Sequence, residues 1–374
     1  MNLDFSEEQE MLRDMVRGVC AEYSPMDTVR ELEDDATGFP ADLWKQFAEV
    51  GLCGILIPEA HGGSDQSVLD AAVIYQELGR SLAPSPHFVS CVLGARTLLA
   101  AGSDDQQAEW LPKIASGEAI LTPAWLEPRN SHGPKGVQMR ATRDGDDYLL
   151  DGRKLHVLFG SAASRLLVLV RSGDGLDDID LLLVDPKSKG VTLTQQMSLA
   201  SDTQYQVDFS GVRVPVSDRI GAEGSGWATW NEVMHDGIIL QAAQAAGGAA
   251  RALELTVEYA KVRKQFDKPL GAFQALAHYL SDAATNVAGG EVLVYEAAWA
   301  RSEGKDITRL APMAKLYMCR TYRDVTAMCL QVWGGVGFTV EYDAQLYFRR
   351  AKQLELSWWD THYLEELVAR SVLD

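Results

Sequence analysis

The sequence predicts a mainly α protein of the α+β class in three successive parts: an N-terminal helical domain over 1–118, a small β domain over 119–225 and a C-terminal four-helix bundle over 226–374. Three observations predict it. Apolar residues recur at helical spacing up to about residue 118. Short β-branched or leucine-rich runs bounded by Gly, Asp and Pro then take over. After Gly221-Ala222-Glu223-Gly224-Ser225-Gly226-Trp227 the helical period returns and holds to the C-terminus. A chain of 374 residues also exceeds what one hydrophobic core usually serves.

Each element has its own signal. Ser6 with Glu7 and Glu8 opens a helix carrying Met11, Leu12, Met15, Val16 and Val19 at helical spacing. Trp44, Phe47, Val50 and Leu52 mark the next, ending at Gly51 or Gly54. Ile57-Pro58-Glu59-Ala60-His61-Gly62-Gly63-Ser64 is a turn-rich loop, in which His61 is expected to make ordinary hydrogen bonds. Helices resume over 69–78 and 89–99. In the β part, Tyr148 to Lys154 reads as strand and turn, and 166–170, 179–184 and 191–193 read as strands. Gln206-Val207-Asp208-Phe209 and Val212-Arg213-Val214-Pro215-Val216 alternate with period two. Long apolar-periodic stretches at 229–262, 273–303, 308–333 and 341–371 make the bundle, which is expected also to form the oligomer interface.

Composition narrows the function. Hydrophobic content of 47% and charged content of 23% are those of a soluble globular protein. Acidic residues outnumber basic ones, 53 to 34, for a net charge of -19, which argues against nucleic acid and means that an anionic ligand needs a local basic patch. Cys20, Cys53, Cys91, Cys319 and Cys329 form no Cys-x-x-Cys pair and no metal-ligand spacing, so no metal site is expected. They fit reduced thiols buried in helices and a cytoplasmic setting. The acidic stretch Met1 to Glu8 lacks an apolar h-region and the arginines of a transit peptide, and no run approaches a membrane span, so no secretory signal or membrane insertion is expected.

Two stretches carry the chemistry. Arg263-Lys264-Gln265-Phe266-Asp267-Lys268-Pro269-Leu270-Gly271-Ala272-Phe273-Gln274 places three cations, two aromatics and two amides on one turn between helices. A cationic, amide-bearing turn with aromatic walls suits a phosphorylated aromatic ligand, and equally a surface turn docked by its phenylalanines. Gln331-Val332-Trp333-Gly334-Gly335-Val336-Gly337-Phe338 closes a helical pattern with glycines that let backbone N–H groups approach phosphate oxygens, or that simply cap the helix.

The two together, in this order and spacing, resemble the acyl-CoA dehydrogenase family, as does the Pro-Glu-x-x-Gly-Gly run at 58–63, and the resemblance covers the whole chain. It implies a flavoprotein whose two C-terminal stretches hold the adenine, ribose and pyrophosphate of the FAD of a neighbouring subunit. Carried over, Arg263 pairs with the pyrophosphate, Phe266 and Phe273 wall the adenine and ribose, and Gln265, Gln274, Gln331, Gly334 and Gly335 supply hydrogen bonds.

The departures from the family matter as much. Its catalytic glutamate, which removes the substrate α-proton, sits at one of two positions, occupied here by Gly237, followed by Ile238, and by Trp358, followed by Trp359 and Asp360. The flavin-contacting Thr-Glu-Pro segment reads Leu126-Glu127-Pro128, the small hydroxyl after it is replaced within Asn130-Ser131-His132-Gly133, and the Trp-Ile-Thr-Asn segment reads His156-Val157-Leu158-Phe159. Replacing hydroxyls with leucine removes donors that a buried polar ring edge requires. No catalytic residue is therefore assigned. The resemblance implies the base-lacking subunit of a heteromeric bacterial acyl-CoA dehydrogenase, of a kind found in lipid or steroid degradation. Its partners would be a catalytic subunit, in a heterodimer or α2β2 complex, an acyl-CoA substrate and electron-transfer flavoprotein. Two alternatives stand beside it: a homomeric flavoenzyme with Asp236 or Asp360 as displaced base or with lyase-like chemistry, and a scaffold that binds no cofactor. Both aspartates read more simply as helix-terminal or surface charges.

Overall fold

The computed structural model describes residues 5–128 and 131–373. Asn130, one of the altered positions, lies outside them. Six α-helices come first among the described residues: α1 (Glu7–Tyr23), α2 (Met26–Glu31), α3 (Ala41–Glu49), α4 (Val68–Ser81), α5 (Ala95–Ala101), which continues a π-helical turn over Phe88–Gly94, and α6 (Asp104–Ala115). Eight strands follow: β1 (Leu121–Ala124), β2 (Ala141–Asp144), β3 (Asp147–Leu158), β4 (Arg165–Arg171), β5 (Ile179–Val184), β6 (Val191–Gln196), β7 (Gln204–Pro215) and β8 (Arg219–Ile220). The remainder is α7 (Gly226–Val262), the two-residue strands β9 (Lys264–Gln265) and β10 (Lys268–Pro269), α8 (Gln274–Ser302), α9 (Leu310–Trp333), α10 (Ala344–Leu356) and α11 (Thr361–Leu373). Among the described residues no helix is long and apolar enough to cross a membrane.

The chain divides into two compact units. One comprises 30–67 and 84–237 and contains two four-stranded sheets, ordered β1-β4-β5-β8 and β2-β3-β7-β6. β1 runs parallel to β4, and the other pairings in these sheets are antiparallel. Leu150, Val157, Val168, Leu182, Val207 and Val212 are buried members of its core. Tyr148 to Lys154, expected as strand and turn, is strand throughout. Opposite Gly152 (φ 149°), where a Cβ would meet the Met139 side chain at 2.6 Å, β7 carries one extra residue as a bulge at Ser210-Gly211. Likewise the two period-two runs belong to one strand, β7, apart from Val216, which lies just beyond its end.

The other unit comprises 1–29, 68–83 and 238–374. Ser6 starts it with a capping box: its hydroxyl accepts from the Gln9 amide (3.2 Å) and the Gln9 side chain accepts from the Ser6 amide (3.1 Å). α4 and α7 approach backbone to backbone, since a Cβ on Gly79 would stand 1.9 Å from the Gln244 carbonyl and one on Gly247 1.8 Å from that of Gln76. The last stretch, expected as one helix over 341–371, is two. Lys315, fully buried, donates to the carbonyls of Leu354 (3.2 Å), Ser357 (2.7 Å) and Trp359 (2.9 Å), so an ammonium instead of a further helical turn satisfies the end of α10. Trp358 and Trp359 turn the chain at φ 53° and 69°, and Asp360 caps α11 by accepting from the Tyr363 amide at 2.9 Å.

Candidate functional site

The C-terminal candidate segment grows from the ends of α7 and α9. β9 and β10 pair as a two-residue hairpin whose tip residues, Phe266 and Asp267, both take the left-handed conformation (φ 51° and 62°) that such tight turns demand. The geometry pushes the Phe266 ring out to 87% exposure. Phe273 meets it edge-on at 6.3 Å and carries the Lys268 ammonium 4.4 Å above its own ring. Trp333 stacks on Tyr259 at 4.1 Å and donates to Thr256 Oγ1 at 3.0 Å, which joins the end of α9 to the end of α7. Two motifs far apart in sequence therefore share one place.

What this place offers is unengaged. Arg263 and Gln274 are exposed, as are Gln265, Gln331 and Gly335. Among the described residues no group bonds the Arg263 guanidinium or the amides of Gln265, Gln274 and Gln331. Gly334 (φ 67°) and Gly335 have open space where a Cβ would stand. The backbone here can be approached closely.

Around Leu126 and 156–159, in the sheet-containing unit, several polar groups are already engaged within the chain. Leu126 O accepts from Leu155 N at 2.8 Å, and Leu158 O accepts from Thr122 Oγ1 at 2.7 Å. His156 donates its amide to Gln196 Oε1 (3.0 Å), and its Nδ1 lies 2.7 Å from Gln204 Oε1. Phe159 N donates to Thr203 O (3.0 Å), and the Phe159 ring is buried edge-on against Phe39 at 5.7 Å. Beside this segment lies a buried pair that sequence reading did not single out. Lys154 Nζ donates to Glu127 Oε1 at 2.6 Å, and the same carboxylate accepts from the amides of Gln138 and Met139. Burial pushes the Lys154 ammonium down to about 8, with Glu127 acting against it. Only the Glu in the Leu126-Glu127-Pro128 segment hinted at this pair.

Gly237 sits where α7 packs on Leu93 and Phe88: a Cβ there would stand 2.9 Å from Leu93 Cδ2 and 3.4 Å from Phe88 Cζ. Apolar side chains therefore stand against the point where a side chain would begin. Asp236, read as a helix-terminal or surface charge, is neither. It is fully buried and bound by Arg96 through contacts of 2.9 and 2.7 Å, because the next position round the helix faces α5. Trp358 and Trp359 are buried, and Asp360 is half-buried. His61, expected to make ordinary hydrogen bonds, makes one through its amide, to Pro58 O at 2.9 Å.

Two family models match the chain: the acyl-CoA dehydrogenase N-terminal domain over 6–118 and the acyl-CoA dehydrogenase C-terminal domain over 224–373. A curated relative from Bacillus subtilis, the probable acyl-CoA dehydrogenase YngJ, is 30% identical over 382 residues and is matched along the whole of both chains. This chain belongs to the acyl-CoA dehydrogenase family. Among solved structures, butyryl-CoA dehydrogenase from Megasphaera elsdenii superposes with TM-score 0.93 at 25% identity, over 100% of each chain. A chain of the ChsE4-ChsE5 complex from Mycobacterium tuberculosis superposes with TM-score 0.90 at 26% identity, over 100% of this chain and 99% of that one.

Acyl-CoA dehydrogenases use FAD, and the two candidate segments, each in its own unit, fit it unequally. The exposed turn fits the phosphate-bearing part of such a cofactor: a cation, three amides and open glycine backbone face solvent. The segment around Leu126 and 156–159 does not fit the polar ring edge, because leucine stands at two hydroxyl positions and the neighbouring polar groups are bonded within the chain.

Proposed function

We propose that this acyl-CoA dehydrogenase-family chain is the non-catalytic subunit of a heteromeric, FAD-dependent enzyme that desaturates an acyl-CoA thioester at its α and β carbons. The observation that carries the reading is the contrast within one chain between the unengaged Arg263 turn and Gly237, which has no side chain to act as a base and packs on Leu93 and Phe88. Arg263 faces the pyrophosphate of a neighbour's FAD, Phe266 and Phe273 wall its adenine and ribose, and Gln265, Gln274, Gln331, Gly334 and Gly335 bond the remainder. The neighbour supplies the glutamate that removes the α-proton, and FAD is the hydride acceptor of that reaction. Electrons then leave through electron-transfer flavoprotein. The ChsE4-ChsE5 neighbour, solved as a complex of two differently named chains, supports this reading.

The same reading keeps three domains, at 1–118, 119–225 and 226–374, and a cytoplasmic setting. Asp236 is a weak rival base because Arg96 holds it in a buried ion pair, and Asp360 because it caps a helix. The test is purification of the tagged chain from its native host. The reading expects a co-purifying acyl-CoA dehydrogenase with glutamate at one of the two base positions, and acyl-CoA-dependent dye reduction by that complex only. Turnover by the isolated chain with added FAD would refute it.

A further inference from the structure

The unit that contains α1, α4 and the C-terminal part of α7 holds a cavity of about 370 Å³, within the size range of small-ligand sites. Three guanidiniums line it, Arg17 from α1, Arg80 from α4 and Arg251 from α7, against one lining carboxylate, Glu77. Glu77 is 1% exposed and takes two bonds from Arg17, at 2.9 and 2.8 Å. Arg80 gives two bonds of 2.8 Å to Glu254, which also accepts one from Arg251 at 3.2 Å. A guanidinium has five N–H donors, so Arg17 and Arg251, both partly exposed, retain donors for a further acceptor.

A second observation points to that acceptor. Ser24 ends α1, donating its amide to Cys20 O at 2.9 Å, and lines the cavity at 2% exposure. Its hydroxyl has no hydrogen-bond partner among the described residues. Leaving a buried hydroxyl unpaired is costly, and a group bound beside Ser24 would relieve that cost. Cys20 brings no competing charge, because burial pushes its thiol up to about 12. Ala21, Pro25 and Met26 add a short apolar wall.

We propose that this cavity binds a small oxyanion-bearing metabolite, a phosphate or carboxylate head with a short apolar body, through Arg17, Arg251 and the Ser24 hydroxyl. The site is independent of the FAD reading. Isothermal titration of the purified chain with inorganic phosphate and with butanoate tests it. Saturable binding of either probe is expected, the tighter of the two telling phosphate from carboxylate recognition. Ser24→Ala is expected to weaken that binding about tenfold without lowering the unfolding midpoint of the unliganded protein. Arg251→Gln, which leaves Glu254 its partner Arg80, is expected to weaken it at least as much. No saturable binding of either probe would overturn the proposal, as would affinity indifferent to both substitutions. So would destabilisation of the unliganded protein by Ser24→Ala, since the hydroxyl would then serve the fold.

Discussion

The Arg263 turn and the 156–159 segment belong to different compact units, and they treat their hydrogen-bonding groups in opposite ways. At the turn, Arg263, Gln265, Gln274 and Gln331 point outward without a partner among the described residues. At the strand end, His156 is held by Gln196 and Gln204, and Phe159 by Thr203. Because every buried polar group must find a partner, following the bonds separates a surface kept ready for a ligand from one closed on itself. A chain serving its own cofactor would need the 156–159 segment open.

The closed end can be broken most forcefully at Gly237. Gly237→Glu would drive a carboxylate into Leu93 and Phe88, combining overpacking with an unpaired buried charge. We expect about 3–5 kcal/mol of destabilisation by urea denaturation, and no gain of acyl-CoA dehydrogenation. A stable and active variant would show the position to be open.

The packing behind that site can be tested by pH. His87 precedes Phe88, its Nε2 lies 2.9 Å from Leu52 O, and burial pushes its imidazole from 6.5 down to about 4. As pH falls, the unfolded chain takes up this proton first, so the stabilisation is complete above about 6.5 and is lost as pH falls towards 4. The loss should reach about 3 kcal/mol. Comparing wild type with His87→Gln at neutral and mildly acid pH isolates it: an equal decline in both would place the acid sensitivity elsewhere.

The open end predicts effects on the cofactor and not on the fold. In the complex, Arg263→Ala should weaken FAD binding by about 1.5–3 kcal/mol, the range of a charge-assisted contact, while stability stays within about 0.5 kcal/mol. Flavin titration of the stripped complex reads the first quantity and thermal unfolding the second. The smallest effect belongs to Asp360. Asparagine caps a helix as well as aspartate, so Asp360→Asn should change complex turnover by less than about threefold, where loss of a general base costs about two to four orders of magnitude.

Local chemistry was legible in the sequence. The Ser6 box, the strand 179–184 and the helices ending near 262 and 333 carry their signals within a few residues. The turn after Arg263 and the Gly334-Gly335 segment were also readable, and the Tyr259–Trp333 stack brings them together. Non-local pairing was not legible. Helical spacing ran straight through 357–360, because the ammonium that ends α10 comes from Lys315, 44 positions before Trp359. Residue type argued that Asp236 lies at the surface, and Arg96, 140 positions away, lets it be buried instead. The Glu127–Lys154 pair was hidden for the same reason: periodicity reports which face is apolar, not which charges meet beneath it.

Flavin stoichiometry tests the central claim most directly. The chain purified alone and the chain purified with its catalytic neighbour are each denatured, and released FAD is counted per polypeptide. The half-site account predicts little or no FAD on the isolated chain and about one FAD for each pair of unlike chains in the complex, at sites that need both partners. One tightly bound FAD per isolated chain would contradict it.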